Sequence, residues 1–394
     1  MNILVVDDDA SQRLYIKMQL ERLGHQVCSV DRGDAVLKAI EENAISVAIC
    51  DLEMPEMDGL TLVRLIRERN WGRYIYVLML TGRDQIQDYV AGLDAGADDF
   101  MSKPANMAVL TVRLNAARRL LEYDRELNAR NLRLSEAQDR IEEDLKAAEQ
   151  AQRAVLPNKE KKIGQVMARS VFLPCSYVAG DIFNYFQIDN GGVGFYAADV
   201  SGHGVRAALL AVALGYVLTP SMFSSLSRDE GEGWRPDRLV DELNRRFGPI
   251  SEMTGYFTIV CGVIDPQRRS LALCQAGHPP LLRWSKSGVT ETINCNGLPV
   301  AVFPEATYEA VQLTFEPGDR LLIFSDGVSE AADTNDEAFG EERVMSIFSE
   351  GDMLSSAKIL PKLIDQLEDW VGRNEPKADD ISAICFEFEE GTDD

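Results

Sequence analysis

Residues 195–210 read FYAADVSGHGVRAALL and pass from an apolar strand pattern, through a glycine-rich turn, into an alanine- and leucine-rich helical pattern. Asp199 stands at the end of the strand pattern. An ionised carboxylate that leaves water there needs a partner charge, hydrogen bonds or a cation. Two interpretations follow: Asp199 caps the next helix, as Asp and Ser commonly do, or it holds a metal ion.

Three other aspartates occur where an apolar strand pattern meets a turn: Asp181 in YVAGDIFNYF, Asp326 in LLIFSDGVSE and Asp379 in KADDISAICF. A cluster of carboxylates demands cations, and hard oxygen ligands suit Mg²⁺ or Mn²⁺. Two such ions about 4 Å apart can activate water for attack on a phosphoryl centre. The residues alone leave both interpretations of Asp199 open.

The region around these aspartates is rich in strand patterns separated by turn residues. The strand patterns occupy 192–200, 256–265, 269–277, 279–284 and 319–327. At least two helical patterns interrupt them, near 205–218 and 237–247. This alternation predicts an α+β domain over 157–394.

Eight stretches between 140 and 390 resemble, in family order, the PPM metal-dependent Ser/Thr phosphatases of the bacterial sporulation and stress-response branch. They are AQRAVLP, AGDIFNYF, ADVSGHGVRAALL, FTIVCGVID, QAGHPPLL, GLPVAVFP, FEPGDRLLIFSDGVSEA and ADDIS. The resemblance implies a sandwich of two β-sheets flanked by helices, two Mg²⁺ or Mn²⁺ ions, and a phosphoserine substrate on an anti-sigma-factor antagonist.

The resemblance also implies roles for the acidic residues. Asp181 and the Val200 carbonyl would share one metal, and Asp199 would reach an ion directly or through water. Asp326 and Asp379 would complete the other ion's ligands.

Four residues near these motifs receive separate predictions. Ala179 and Asn184 stand where the family usually has Gly and Asp, and the lost charge at Asn184 would lower turnover if that Asp orients a metal ligand, an effect commonly about 10- to 100-fold. In that case Asn184→Asp would raise turnover. His203 and His278 lie in glycine-rich turns and are predicted to be neutral structural histidines, not catalytic acids.

The first 118 residues alternate short apolar runs with amphipathic patterns. ILVV, SVAIC and YIYVLML are typical of buried parallel strands, and a helical pattern after the first of them ends at Gly24. This pattern predicts a doubly wound α/β domain with a parallel sheet, whose sites lie at the carboxyl ends of the strands.

Five chemically active residues fall at such strand ends: Asp7, Asp8, Asp51, Thr81 and Lys103. Three carboxylates in one crevice require a cation, so Mg²⁺ is implied, and the lysine adds a fixed positive charge. Such a site can accept a phosphoryl group on a carboxylate, because the metal, the ammonium and the hydroxyl bind the phosphoryl oxygens.

The motifs ILVVDDDASQR, AICDLEMPEMDGL, VLMLTGR and DDFMSKPA resemble the receiver domain of two-component response regulators, over residues 1–118. The resemblance implies that Asp51 is the phosphoacceptor. Asp8, Asp51 and the Glu53 carbonyl would hold Mg²⁺, and Asp7 would assist.

In the same family Thr81 and Phe100 would be the switch pair that reports phosphorylation, and Lys103 would contact the phosphoryl group. The phosphoryl donor would be a sensor histidine kinase or a phosphotransfer protein. Phosphorylation would then control the C-terminal phosphatase.

Residues 119–156 contain neither Gly nor Pro, and Pro157 follows directly after them. Apolar residues recur there at seven-residue intervals: Leu120, Leu127, Leu134, Ile141, Ala148 and Val155. This spacing predicts a dimerising coiled-coil helix, preferably parallel. The second stripe carries Asn131, Gln138 and Gln152, which would fix its register. The alternative is a single long helix lying against a domain.

The composition limits the partners. The 394 residues include 64 acidic and 40 basic ones, a formal net charge of −24, which disfavours nucleic acid and anionic membranes. Seven cysteines without a C-x-x-C pair disfavour disulfides and zinc. The start MNILVVDDDA lacks a signal-peptide pattern, so a cytoplasmic protein is expected.

One alternative belongs to another functional class. Some response regulators of this architecture resemble adaptors that bind a sigma factor or its regulator through a phosphatase-like domain without metals. Retention of all four aspartates favours an enzyme.

Overall fold

The computed structural model describes residues 1–55, 57–82, 86–188, 191–202, 204–229, 233–248, 255–350, 356–373, 375 and 377–390. It divides into two units, Met1–Arg140 and Ile141–Asp394. One helix, Met107–Arg153, is continuous through this division. The predicted boundary at 118/119 therefore lies inside a regular helix, and the predicted domain limits stay a prediction.

Strands and helices alternate in the first unit. Its elements are β1 (Asn2–Val6), α1 (Ala10–Arg22), β2 (Gln26–Val30), a 3-10 turn (Gly33–Ala35), α2 (Val36–Asn43), β3 (Val47–Asp51), α3 (Gly59–Glu68), β4 (Tyr76–Thr81), α4 (Ile86–Asp94), β5 (Asp99–Ser102) and the start of α5 (Met107–Arg153). The strands form one parallel sheet in the order β2-β1-β3-β4-β5. Apolar side chains are buried on both faces of this sheet, so the predicted doubly wound fold is confirmed.

The second unit is dominated by antiparallel strands. The strands are β6 (Glu160–Ile163), β7 (Val166–Leu173), β8 (Ile182–Gln187), β9 (Val193–Val200), β10 (Arg228–Asp229), β11 (Gly233–Trp234), β12 (Phe257–Asp265), β13 (Ser270–Ala276), β14 (Leu281–Trp284), β15 (Thr290–Ile293), β16 (Val311–Thr314), β17 (Arg320–Phe324) and β18 (Ile381–Phe388). The helices are α6 (Val205–Val217), α7 (Pro220–Ser227), α8 (Pro236–Phe247), α9 (Asp326–Ser329), α10 (Glu341–Ser349) and α11 (Ser356–Val371).

Two sheets pack face to face in this unit. Their strand orders are β16-β13-β12-β9-β8 and β15-β14-β17-β18-β7-β6. Alternate residues of both sheets fill the space between them, and the Phe195 and Phe386 ring centroids lie 5.0 Å apart. Helices α6, α7 and α8 cover the outer face of the first sheet, and α10 and α11 cover the second. The predicted sandwich flanked by helices is confirmed.

Within the described ranges, no single helix is both long and apolar enough to cross a membrane, and only the bent pair α6 and α7 meets the criterion when its two members are joined.

Gly327 lets the start of α9 approach β18 closely. A Cβ atom at Gly327 would lie 2.0 Å from the Asp380 carbonyl oxygen. We therefore expect Gly327→Ala to lower the free energy of unfolding of the C-terminal unit by about 1–3 kcal/mol, because overpacking displaces the backbone. Urea denaturation measures this. Gly248→Ala is the matched control, since a Cβ there meets no described atom within 4 Å and φ is −51°. Equal midpoints for the two variants would contradict the expectation.

Candidate two-metal phosphatase site and phosphoacceptor site

The first pair of predicted metal ligands is placed by strand pairing. Asp181 immediately precedes β8, and Asp199 is the penultimate residue of β9. These strands pair antiparallel with Ile182 opposite Ala198. The two aspartates therefore lie at the same end of the five-stranded sheet.

The second pair is placed in the same way by the other sheet. Asp326 follows β17 by two residues, and Asp379 precedes β18 by two residues. The strands pair antiparallel with Phe324 opposite Ala383. Both aspartates therefore lie at one end of the six-stranded sheet.

Asp380 joins the ends of the two sheets. Its buried carboxylate accepts hydrogen bonds from the backbone N–H of Cys175 at 2.8 Å and of Gly180 at 2.7 Å. Gly180 in turn lies against the Val200 carbonyl, because a Cβ at Gly180 would be 2.9 Å from that oxygen. Asp380 thus fixes the turn that carries Asp181. The sequence analysis did not assign this role to Asp380.

The electrostatics of the four aspartates show that they crowd one another. Burial, with the charges of Asp326 and Asp379, raises the pKa of Asp199 to about 7. Burial and the charge of Asp199 raise the pKa of Asp181 well above its ordinary value. The pKa of Asp326 is also raised, by burial and then by Asp379. Protonation or a bound cation relieves this repulsion.

The donor set fits divalent cations. One carboxylate oxygen of Asp181, Oδ2, is buried and has no hydrogen-bond partner among the described residues, and the neighbouring Val200 carbonyl adds a second hard oxygen. Across the described chain, no three of the four predicted aspartates hold their oxygens all within 4.8 Å of one another.

A neighbouring cluster of possible metal ligands is less suited to a cation. Cys175, Asp379 and Asp380 place one sulfur and two carboxylates within 4.8 Å of one another. Burial raises the pKa of Cys175 to about 11, so its sulfur remains a neutral thiol and a weak ligand. Because both Asp380 oxygens accept backbone hydrogen bonds, only Asp379 is left for a cation.

The first unit brings its own acidic residues together at the carboxyl end of the parallel sheet. Oxygens of Asp7, Asp8 and Asp51 lie within 4.8 Å of one another. The Lys103 Nζ donates to Asp7 at 2.9 Å and to Asp51 at 2.6 Å. One ammonium does not balance three carboxylates, so this set also fits a divalent cation. The backbone N–H of Glu53 lies 3.4 Å from Asp51 Oδ1.

The pKa values of Asp51 and Lys103 reflect their burial and their contact with each other. Burial raises the pKa of Asp51, and its contacts with Lys103 offset only part of that rise. For Lys103, burial works against the charged form, but the hydrogen bonds to Asp51 and Asp7 raise its pKa overall. The lysine is therefore a permanent positive charge beside Asp51.

The predicted switch residues lie on β4, which pairs with the strand of Asp51, and on β5, one strand further out. Thr81 is the buried last residue of β4, and its carbonyl accepts the Lys103 N–H at 2.7 Å. Phe100 in β5 is buried, with its ring centroid 5.4 Å from that of Tyr89 in α4. Helix α4 packs closely on Phe100, because a Cβ at Gly92 would lie 1.9 Å from its Cζ.

Asn184 and the histidines can now be placed. The Asn184 side-chain N–H points to the Val155 carbonyl at 3.4 Å, and its lowered-turnover role stays a prediction. His278 is buried, and its Nδ1 lies 3.3 Å from the Thr258 hydroxyl. Burial lowers the pKa of His278 to about 3, so the ring is neutral. His203 lies outside the described residues.

His278 makes stability depend on pH. Between about pH 6.5 and pH 3 the unfolded chain binds a proton at His278 that the folded chain refuses, so the free energy of unfolding falls by about 1.4 kcal/mol per pH unit as pH decreases. The raised pKa of Asp199 acts in the opposite direction. We therefore compare urea unfolding of the parental protein with His278→Gln, which should remove this component. His25→Gln, in the other unit, is the control and should leave the C-terminal transition's pH slope unchanged. Parallel slopes for parental protein and His278→Gln would contradict the expectation.

Comparisons with known proteins agree with both halves of the chain. Residues 189–389 match the family "Stage II sporulation protein E (SpoIIE)", and residues 3–115 match "Response regulator receiver domain". The phosphoserine phosphatase RsbP of Bacillus subtilis is 29% identical over 168 residues, which are 42% of this chain and 40% of that protein.

Two further similarities concern one half each. The two-component response regulator PhoP of Pseudomonas aeruginosa is 40% identical over 116 residues, 29% of this chain and 51% of that protein. The SiaA-PP2C domain of Pseudomonas aeruginosa covers 64% of this chain and 99% of that domain with a TM-score of 0.55 at 20% identity, which shows the fold. The chain spans about half the length of the curated relatives it matches. The chain belongs to the SpoIIE family and carries a response-regulator receiver domain ahead of its PP2C-type phosphatase domain.

Proposed function

We propose that this chain is a response regulator in which phosphorylation of Asp51 controls a metal-dependent Ser/Thr protein phosphatase. The receiver occupies 1–118, the linker helix 119–156 and the phosphatase 157–394. The observation that carries the proposal is the convergence of four aspartates from two sheets, with a buried Asp181 oxygen that has no partner among the described residues. Bound cations stabilise such a site, because they offset the repulsion between the carboxylates.

Each residue of the phosphatase site has a proposed task. Asp181 and the Val200 carbonyl hold one divalent ion, Asp199 contacts an ion directly or through water, and Asp326 and Asp379 complete the second. When bound, Mg²⁺ or Mn²⁺ activates water and neutralises phosphoryl oxygens. Strand pairing and Asp380 keep the carboxylates in place before substrate arrives.

The receiver residues have the corresponding tasks toward a phosphoryl group. Asp51 accepts it from a sensor histidine kinase or phosphotransfer protein, with Mg²⁺ held by Asp8, Asp51 and the Glu53 carbonyl and with Asp7 assisting. Lys103 neutralises one phosphoryl oxygen, and the ion pair it already makes with Asp51 supports this role. Thr81 binds another phosphoryl oxygen. Together Thr81 and Phe100 form the switch pair that reports phosphorylation.

For the substrate we propose phosphoserine on an anti-sigma-factor antagonist. Hydrolysis transfers the phosphoryl group from the serine oxygen to water, which regenerates the serine hydroxyl on the partner protein and releases inorganic phosphate. Similarity to RsbP, which is named a phosphoserine phosphatase, supports phosphoserine. The net charge of −24 favours a partner with a basic contact surface.

The purified full-length protein should hydrolyse a phosphoserine peptide or an aryl phosphate with Mn²⁺ or Mg²⁺. We expect Asp199→Ala and Asp326→Ala each to lower turnover by more than about 100-fold, because they remove ligands and not merely their outer contacts. Asp365→Ala, an exposed aspartate of α11, is the matched control and should retain turnover. Comparing protein with and without phosphorylated Asp51, and with Asp51→Asn, gives the sign of control. Absence of turnover in the parental protein would favour the adaptor that binds a sigma factor or its regulator.

We further propose that α5 pairs with α5 of a second copy. Four apolar residues spaced by seven are 44–68% exposed: Leu120, Leu127, Leu134 and Ile141. Exposed apolar residues in a heptad stripe are stabilised by a partner helix. The stripe ends at Val155, which packs against the hydrophobic core of the phosphatase.

A change in helical phase tests this connection. Two residues inserted beside Ala148 rotate the following helix by about 200°, so the control of turnover by Asp51 phosphorylation should be lost. A seven-residue insertion restores the phase to within about 20° and should retain control. Sedimentation should show dimers for both proteins. Retained control after the two-residue insertion would refute coupling through the helix.

A further inference from the structure

Gln152 is buried in the last turn of α5, although the helix around it faces solvent. Its exposed fraction is 3%, whereas Ala151 and Arg153 on either side are exposed. A buried amide is unfavourable unless its donor and acceptor are both satisfied. The heptad pattern predicted Gln152 as a polar residue between two helices, and the structure places it inside the phosphatase unit instead.

Gln152 forms two hydrogen bonds with the backbone of one residue. Its Nε2 donates to the Ala179 carbonyl at 2.7 Å, and its Oε1 accepts the Ala179 N–H at 3.0 Å. Ala179 itself is fully buried. The side-chain amide therefore makes the two hydrogen bonds that a neighbouring strand would otherwise make with Ala179. These bonds fix both the position and the direction of the backbone there.

Ala179 begins the turn that delivers Asp181 to the proposed metal site. Two residues of chain span at most about 7 Å, so little slack separates Ala179 from Asp181. Gly180 between them donates to Asp380 and lies against the Val200 carbonyl. A displacement of Gln152 is therefore passed to Asp181 and to its proposed co-ligand.

The end of the same helix also contacts the residues that follow Asp181. The Val155 carbonyl faces the Asn184 side-chain N–H at 3.4 Å. A Cβ at Gly215 of α6 would lie 2.7 Å from Val155 Cγ1 and 2.7 Å from Ile182 Cδ1. The end of the linker thus contacts Ala179, which precedes Asp181 in the chain, and Asn184, which follows it.

We propose that Gln152 is a positioning residue that sets the place of Asp181 through Ala179, and that its two hydrogen bonds strengthen metal binding at the phosphatase site. This rests on the proposed function for the identity of the site. Asn184 then serves as a contact to the linker end at Val155, and its departure from the family pattern has a structural use.

Calorimetric titration of the full-length protein with Mn²⁺ tests the proposal without requiring turnover. All variants carry Asp8→Ala, which removes an exposed receiver carboxylate so that the titration reports the phosphatase site. We expect Gln152→Met, of similar volume but without hydrogen bonds, to weaken Mn²⁺ binding about 10- to 100-fold, as loss of contacts behind metal ligands commonly does. The matched control is Gln150→Met on the exposed face of the same turn, which should bind Mn²⁺ like the parental protein.

A second variant covers the case in which Gln152→Met does not fold. Gln152→Glu keeps the size and one acceptor but replaces the donor to the Ala179 carbonyl, and it should weaken Mn²⁺ binding in the same direction. At saturating Mn²⁺ the turnover of both variants should recover to within about threefold of the parental value, since the ligands themselves are intact. A purely structural role would lower the unfolding midpoint and leave Mn²⁺ affinity unchanged.

The outcomes separate this proposal from the proposed function. Unchanged Mn²⁺ affinity in both Gln152 variants, or a parental protein that binds no Mn²⁺ at this site, would overturn the positioning role. A parental protein that binds Mn²⁺, loses affinity on Gln152→Met and hydrolyses no phosphoserine would support the positioning role and refute the phosphatase activity.

Discussion

The C-terminal unit depends on holding mutually repelling carboxylates together at one end of its two sheets. Pairing of β8 with β9 sets Asp181 beside Asp199, and pairing of β17 with β18 sets Asp326 beside Asp379. A one-residue slip of any of these strands would turn its apolar side chains out of the core, so the register is strongly fixed. Burial and neighbouring charge raise the pKa of Asp199 to about 7, which shows that the repulsion persists in the folded chain. Cation binding therefore gains from an arrangement that folding has already imposed.

The receiver also holds mutually repelling carboxylates close together, but a lysine lies among them. Its carboxylates also stand at strand ends, but Lys103 bridges Asp7 and Asp51 and offsets part of their repulsion. In the proposed phosphoacceptor role of Asp51, the incoming phosphoryl group would bring negative charge of its own, which the neighbouring ammonium would offset. The carboxylate pairs of the phosphatase site are suited to divalent ions.

The sequence predicted the elements whose signals are local. Apolar runs predicted β1, β3, β4, β9, β12 and β17, and residues at their ends predicted which carboxylates converge. The family resemblance assigned Asp379 to a metal, but no local signal gave Asp380 its role, because that role appears only when β18 pairs and turns Asp380 toward the N–H groups of Cys175 and Gly180. Periodicity likewise grouped Gln152 with a helical stripe but could not show what covers it. The roles of Asp380 and Gln152 depend on hydrogen-bond partners that lie 27 or more residues away in the chain.

The long helix has a different environment along its length, and this makes its twist important. Near its start Leu110 and Leu114 are buried in the receiver core, its middle exposes Leu127 and Leu134, and its end places Gln152 in the phosphatase. A straight α-helix drifts by about 20° per heptad from a seven-residue stripe, or about 80° over the four intervals from Leu120 to Ala148. A pair of supercoiled helices removes that drift. In the proposed dimer, a change in how tightly the two helices wind would rotate the end of α5, where Gln152 is a buried polar contact.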